Sequence, residues 1–452
     1  MDKNEKEDII TSGPIYKTVF SLALPVVIGM LFEFALHTTD YFWVGKLGAT
    51  AQDAITTTMV IAWTIFALFS LITVGITAII ARFVGARDFD QAKYFVGQGL
   101  SMSISLGVIV SIIGYMVCPY LIKFMDASEK TLSIAVPYIR IFFISAVLYF
   151  LMETSYAIFR AIGDTKTPTK VGIGVVLMNI ILDPLLIFGY GPFPELGVSG
   201  ASLASSISVF IGVIVIFRLI LKGKLGFVVE DIYKLKPIMK NYIRIGKIGL
   251  PMATQQFIFV SVYWFLIKIV HEFGESAGAA MGIGNRMESF SYLTSFGFSV
   301  AASTMIGQNL GAKKPQRAER CAWVTIGIAI SLTMVTTVLF LTIPELIAGI
   351  FTTDKVVLNI AVDYLMILGL SQGAMALEIV LEGAFGGAGD TVPPMIVMIP
   401  GAVIRIPLAY YLCFNLDWGI NGVWWTLTFT SLAKAAVLAF WFKRGNWKLK
   451  EV

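Results

Sequence analysis

Residues 54–81 read AITTTMVIAWTIFALFSLITVGITAIIA, 28 residues without a charged side chain. About 20 apolar residues in a helix cross a hydrocarbon core of ~30 Å, so this run alone is long enough to span a bilayer. A barrel strand would be about ten residues of alternating polarity, whereas this stretch is longer and apolar on every side. Runs equally free of charge recur at residues 94–122, 196–217, 248–267, 289–312 and 321–344. A helix satisfies its own backbone hydrogen bonds in lipid, which makes it the expected element. With the segments that carry one or two interruptions, the pattern predicts twelve helices, over roughly residues 17–43, 55–82, 94–118, 132–160, 171–188, 199–221, 247–270, 281–308, 323–345, 357–385, 395–413 and 421–443. The expected fold class is an all-α integral membrane protein.

Composition agrees. The chain has 452 residues, 57% of them hydrophobic and 14% charged, against about 25% charged in soluble domains. Its mean hydropathy is +0.81. The 41 glycines suit close helix packing in lipid, where burial from water no longer drives association. Cys118, Cys321 and Cys413 stand apart in apolar surroundings, with no metal or disulfide spacing. The polar N-terminus runs straight into a span too long for a cleavable signal. The net charge of +5 reflects loop placement, and no nucleic-acid partner is expected.

Lys and Arg gather in alternate loops: Arg82, Arg87 and Lys93; Arg160, Lys166 and Lys170; the linker from Lys222 to Lys247; Lys313, Lys314, Arg317 and Arg320; and the C-terminus from Lys443 to Lys450. Positive loops stay cytoplasmic, so both termini are expected in the cytoplasm, with the chain multi-pass in the inner (cytoplasmic) membrane.

The chain is also written twice. At an offset of 226 residues, Leu24-Pro25 returns as Leu250-Pro251 and Gly85-Ala86 as Gly311-Ala312. At the same offset Tyr138 returns as Tyr364, Ser145 as Ser371, and Gly163-Asp164-Thr165 as Gly389-Asp390-Thr391. Further on the register slips to 222, with Gly197 and Gly200 matching Gly419 and Gly422. The repeat predicts a six-helix lobe over 1–221, a basic cytoplasmic linker over 222–246 and a second six-helix lobe over 247–452. An even helix number gives both copies the same orientation. Parallel repeats of this kind build transporters with sites near the midplane.

Ionisable groups inside a span are costly and point to function. Glu33, His37 and Asp40 are spaced four and three apart, so they share one helix face. Asn179 and Asp183 share another, and Pro184 frees a carbonyl one turn back. Two carboxylates, an amide oxygen and a free carbonyl are hard oxygen ligands for H⁺ or Na⁺, and Ser205 adds a hydroxyl. The repeat mates of Asp40, Asn179 and Asp183 are Leu266, Arg405 and Ala409. The scaffold is duplicated and the constellation is not, which favours a single coupling-ion site in the first half. Glu153 lies in the same half, while Glu288, Glu378, Glu382 and Arg405 lie in the second. These, with Glu33 and His37, are candidates for a proton relay or for substrate contact. An ion pair between Arg405 and a glutamate is the structural alternative, and Lys268 and Lys434 sit where snorkelling would serve them. Pro25 and Pro184 are expected flexure points.

Asp40-Tyr-Phe-Trp-Val-Gly45-Lys-Leu-Gly48 resembles the first-helix motif of the multidrug and toxic compound extrusion (MATE) transporters. So do Ala81-Arg82-x-x-Gly85-Ala86, Arg160-Ala-x-Gly163-Asp164-Thr165, Gly197-x-x-Gly200-Ala201 and Gly307-Gln308-Asn309-x-Gly311-Ala312. The resemblance covers nearly the whole chain. It implies two six-helix bundles about a V-shaped cleft, alternating access, and export of small organic, often aromatic or cationic, compounds in exchange for H⁺ or Na⁺, with antibiotic resistance as the outcome. It also implies a prokaryotic type whose first lobe holds the cation on Asp40, Asn179, Asp183 and Ser205. Another branch uses a Glu on the seventh helix and an Asp on the tenth, where this chain has Phe259, and Glu378 and Glu382. No resident cofactor and no enzymatic activity are expected. The expected partners are small organic substrates and the bilayer, with the protein a monomer. Two alternatives remain open at this point: a flippase for lipid-linked saccharides of the same superfamily, and an intramembrane transferase. The excess of acidic groups opposes the first, and the lack of an Asp-rich or phosphate-loop motif opposes the second.

Overall fold

The computed structural model describes residues 9–125, 128–229 and 237–452; Lys234 and Lys236 of the linker lie outside the described residues. The first half contains α1 (Ile15–Gly45), α2 (Ala49–Gly85), α3 (Phe89–Phe124), α4 (Glu129–Ile144), α5 (Ala146–Ala161), α6 (Lys166–Phe188) and α7 (Val198–Leu221). The second contains α8 (Met239–His271), α9 (Glu275–Gly311), α10 (Pro315–Thr342), α11 (Pro344–Gly349), α12 (Lys355–Gly369), α13 (Gln372–Ala388), α14 (Val392–Val403), α15 (Arg405–Tyr410) and α16 (Asn421–Lys443). A π-helical turn at Tyr411–Asn415 extends α15.

Among the described residues nine helical segments are long and apolar enough to cross a bilayer, and eleven when each bent pair is one span. The expected twelfth, α9, has the length at 37 residues, but Glu275, Arg286, Glu288 and many small polar residues leave it less apolar.

The two marked helix breaks lie away from Pro25 and Pro184. α1 runs on through Pro25 and α6 through Pro184. The breaks are between α4 and α5, at 50°, and between α12 and α13, at 55°. They sit at Ser145 and at Leu370-Ser371, so the repeat duplicates them. Ser145 Oγ lies 3.0 Å from Ile141 O and 2.7 Å from Ser206 Oγ, and Ser371 Oγ donates to Leu368 O at 3.1 Å. A hydroxyl that bonds back to the preceding turn competes with the helix ladder and bends it. The loops repeat as well. Arg87 and Lys313 both take a left-handed conformation, and the next amides, Asp88 N and Lys314 N, close onto Phe83 O and Asn309 O.

The helices pack as two compact units: Ile28–Gly249, and residues 9–27 together with Leu250–Val452. The division cuts α1 and α8 rather than the linker, so each unit takes in the N-terminal turns of the other half's first helix. In the first unit a Cβ on Gly249 would lie 2.0 Å from Leu71 O, and one on Gly75 would lie 2.2 Å from Ile245 O. Only bare backbone allows α8 to press so closely on α2. In the second unit a Cβ on Gly297 would lie 2.4 Å from Val27 Cγ2 and 3.1 Å from Ala23 O. Leu71 and Gly297 are repeat mates, as are Ala23 and Gly249, so one crossing is made twice with the glycine on opposite partners.

Polar contacts fasten these ends. In the first unit Gln98 Oε1 accepts from Ile238 N at 3.1 Å and Asn241 Nδ2 donates to Tyr94 OH at 2.7 Å. In the second, Asn309 of the Gly-Gln-Asn motif donates to Ile10 O at 3.3 Å, and Arg317 Nη2 donates to Gly13 O at 2.5 Å. Gly249→Ala is therefore expected to destabilise the protein by about 1–3 kcal/mol, since a backbone carbonyl must move. Gly246→Ala, one turn away with only Leu71 Cδ1 at 4.0 Å, should be near neutral. Melting temperatures of the two purified variants give the comparison, and equal values would refute the crossing.

Candidate cation site

α1, α6 and α7 of the first unit supply the acidic constellation. The aromatic end of α1 is held in place: Lys46 Nζ lies 4.7 Å above the Phe42 ring and 4.4 Å above the Trp43 ring, and Trp43 meets Phe188 of α6 edge-on at 6.0 Å. This fixes Asp40, one turn earlier, against α6. Asn179 and Asp183, i and i+4 on α6, are both buried, while Asp40 is half-buried.

The four residues meet. The neighbours fix the orientation of the Asn179 amide: Nδ2 donates to Asp40 Oδ1 and to Asp183 Oδ2, each at 3.1 Å, and Oδ1 accepts from Ser205 N at 3.0 Å and Ser205 Oγ at 2.9 Å. The Asp40 and Asp183 carboxyl groups also lie within hydrogen-bonding reach of each other. Two carboxylates this close in a buried place repel strongly and need a proton or a metal cation between them. Asp183 Oδ1 is buried and has no donor among the described residues, so one hard oxygen is left unspent. Pro184 leaves the Ile180 carbonyl without its helical N–H. Among the described residues no group of three or more His, Cys, Asp or Glu forms a metal cluster. The donor set thus fits a proton or a monovalent hard cation.

Tyr138 and Tyr149 are near enough for the charge on Asp40 to act on both. They flank the α4–α5 bend, which turns both toward the acids. Sequence reasoning did not find this pair, although the repeat of Tyr138 as Tyr364 was a usable signal. His37 is exposed and acts on Asp40 only through its field. Glu33, also exposed, belongs with Glu153 and Arg160, each within electrostatic reach of Glu153. Arg160 lies 5.8 Å over the Tyr156 ring.

The second unit is arranged otherwise. Glu378 pairs with Lys434 at 2.8 Å, both buried. Lys434 does not snorkel; it lies too far inside α16 and bonds inward. Nor is Arg405 the partner of a glutamate: its Nε donates to Thr430 Oγ1 at 2.9 Å and its Nη2 to Ser431 Oγ at 3.4 Å. Glu288 faces Tyr364 OH at 3.1 Å and Gln372 Nε2 at 3.3 Å, and Glu382 accepts from Gln255 Nε2 at 2.8 Å.

A duplicated all-helical membrane protein, with its ionisable groups gathered on facing spans, is built as a transporter. The profile of one family, described as MatE, matches residues 25–185 and again residues 251–411, two segments that start on the paired prolines. The chain belongs to the MatE family, whose members are membrane transporters and not enzymes. It is 26% identical over 425 residues to a FAD transporter of Shewanella oneidensis, covering 94% of this chain and 93% of the relative. It is 26% identical over 449 residues to a probable multidrug resistance protein, NorM, of Thermotoga maritima, covering 97% and 94%. A solved outward-facing multidrug resistance MATE transporter of the MOP superfamily shares the fold, with a TM-score of 0.91, 23% identity and 99% coverage of both chains.

Proposed function

We propose that this protein is a secondary antiporter that exports small organic compounds in exchange for H⁺ or Na⁺, with Asp40, Asn179, Asp183 and Ser205 as its ion site. The observation that carries the reading is the buried Asp40–Asp183 pair joined by Asn179, present in one unit and replaced by Leu266, Arg405 and Ala409 in the repeat. Entry of a cation relieves the repulsion and draws α1, α6 and α7 together. The ion must favour one conformation over another to drive anything, and a charge-starved carboxylate pair supplies that preference. Relatives named for multidrug resistance and for FAD transport support aromatic organic solutes as the cargo. The Lys and Arg pattern supports cytoplasmic termini, and the protein works as a monomer. Among the described residues of the second unit, buried Lys434 is neutralised by Glu378 and a single further buried cation, Arg405, falls short of the strongly cationic cleft that a lipid-linked pyrophosphate needs.

The test is titration of the purified protein with Na⁺ at several pH values, following tyrosine fluorescence. Saturable binding that weakens as pH falls is expected, because H⁺ and Na⁺ compete for the same oxygens. Loss of the signal in Asp183→Asn should accompany it. Na⁺ binding untouched by that substitution would remove the site.

A further inference from the structure

The repeat places a neutral amide and a cation at one scaffold position. Asn179 of the first unit serves two carboxylates, and its mate in the second unit is Arg405, a permanent cation. We propose that Arg405, held by Thr430 and Ser431 beside the Phe259 ring, receives the anionic group, a carboxylate or a phosphate, of an aromatic substrate. This rests on the transport reading above and narrows its substrate class to anionic and zwitterionic aromatic solutes.

Arg405 is 6% exposed and lies in a span. A guanidinium there is costly unless its donors and charge are met. Only two of its N–H groups are used, both by neutral hydroxyls. Among the described residues no carboxylate comes within ion-pair distance of it. The nearby acids are engaged elsewhere: Glu378 by Lys434, and Glu288 by Tyr364 and Gln372. The fields of Glu378 and Glu288 reach the guanidinium, yet neither carboxylate closes on it. A planar fork with spare N–H groups matches the two oxygens of a carboxylate or phosphate, and such bonds are short and strong.

The second half of the receptor is aromatic. The Arg405 guanidinium carbon lies 5.9 Å from the Phe259 ring centre, and Phe259 stacks on Tyr263 at 6.5 Å. Phe259 is 40% exposed, so part of its ring is uncovered beside the charge. A ligand ring packed against it would carry an acidic substituent to Arg405. A purely cationic lipophile would find repulsion at the same place.

Equilibrium binding without any gradient tests this. Two matched pairs serve as probes: riboflavin 5′-phosphate against riboflavin, and a fluorescent quinolone carboxylate against its methyl ester. The wild-type protein is expected to bind the acidic member of at least one pair about tenfold more tightly, the worth of one charge-assisted hydrogen bond. The pair that discriminates identifies phosphate or carboxylate as the recognised group. Arg405→Gln should abolish the preference, and Arg405→Lys, which keeps charge but not the fork, should retain part of it. Equal affinities within both pairs in the wild type, or a preference that survives Arg405→Gln, would overturn the proposal. If Arg405→Gln fails to fold, the wild-type comparison with Arg405→Lys still decides. Gradient-driven efflux of the fluorescent quinolone carboxylate from vesicles tests the transport reading separately. Efflux without acid preference sinks this inference alone, and acid preference without gradient-driven efflux sinks the transport reading alone.

Discussion

Asp40→Asn is expected to lower gradient-driven efflux roughly 100-fold, towards the upper end of coupling free energies of 1–3 kcal/mol. The substitution removes one of the two negative charges that create the demand for a cation. It leaves the local geometry nearly intact, because an asparagine oxygen still accepts from Asn179 Nδ2 as Asp40 Oδ1 does at 3.1 Å. Expression and melting temperature should therefore stay close to wild type, while dye retention in energised vesicles rises to that of vesicles without transporter. The half-buried setting of Asp40 makes a purely structural effect small. Efflux from Asp40→Asn that still follows an imposed pH or Na⁺ gradient would show that the energy enters elsewhere.

The largest loss of stability is expected from Lys434→Met. It leaves Glu378 buried without the ammonium now 2.8 Å away, and breaking a buried pair by removing one partner costs about 3–5 kcal/mol. The first unit already displays the apolar solution to the same packing problem. The mates of Glu378, Gly401 and Lys434 are Met152, Val175 and Gly212. A Cβ on Gly212 would lie 2.5 Å from Val175 Cγ2 and 2.6 Å from Met152 Cε, so the large residues fill the space that the glycine leaves. In the second unit a Cβ on Gly401 would lie 2.5 Å from Lys434 Cγ and Cδ, so there the glycine makes room for the lysine stem. Transplanting the trio, with Glu378→Met, Gly401→Val and Lys434→Gly together, should restore most of the lost stability, since a well-packed apolar group often equals a buried ion pair. Thermal unfolding of the purified single and triple variants reads the difference. A Lys434→Met protein as stable as wild type would mean that the pair carries no structural burden.

The spans were legible because lipid demands long apolar runs, and the acidic constellation because i, i+4 spacing on one helix leaves little freedom. Asn179 and Asp183 had to share a face, and Pro184 marked the free carbonyl. What could not be read came from contacts between helices. Pro25 and Pro184 sit within continuous helices, and the two marked bends fall at serines that carry no compositional flag. Tyr138 and Tyr149 approach the acids from the two sides of one such bend. Lys434 looked like a snorkelling residue because its sequence neighbourhood says nothing of Glu378, 56 residues away. The exchange of helix ends was hidden for the same reason. A glycine such as Gly249 announces close approach, but not to which helix.

That exchange bears on how the chain is made. The first turns of α1 settle beside α9, so Ala23 leaves the ribosome some 270 residues ahead of Gly297. At synthesis rates of about 5–20 residues per second, the leading segment waits on the order of 15–60 s for its neighbour. Meanwhile the first unit stays open until Gly249 has emerged, well after its own spans have entered the bilayer. Neither body can close before Gly249 has been made, and the first turns of α1 wait for a neighbour that lies far downstream in the chain.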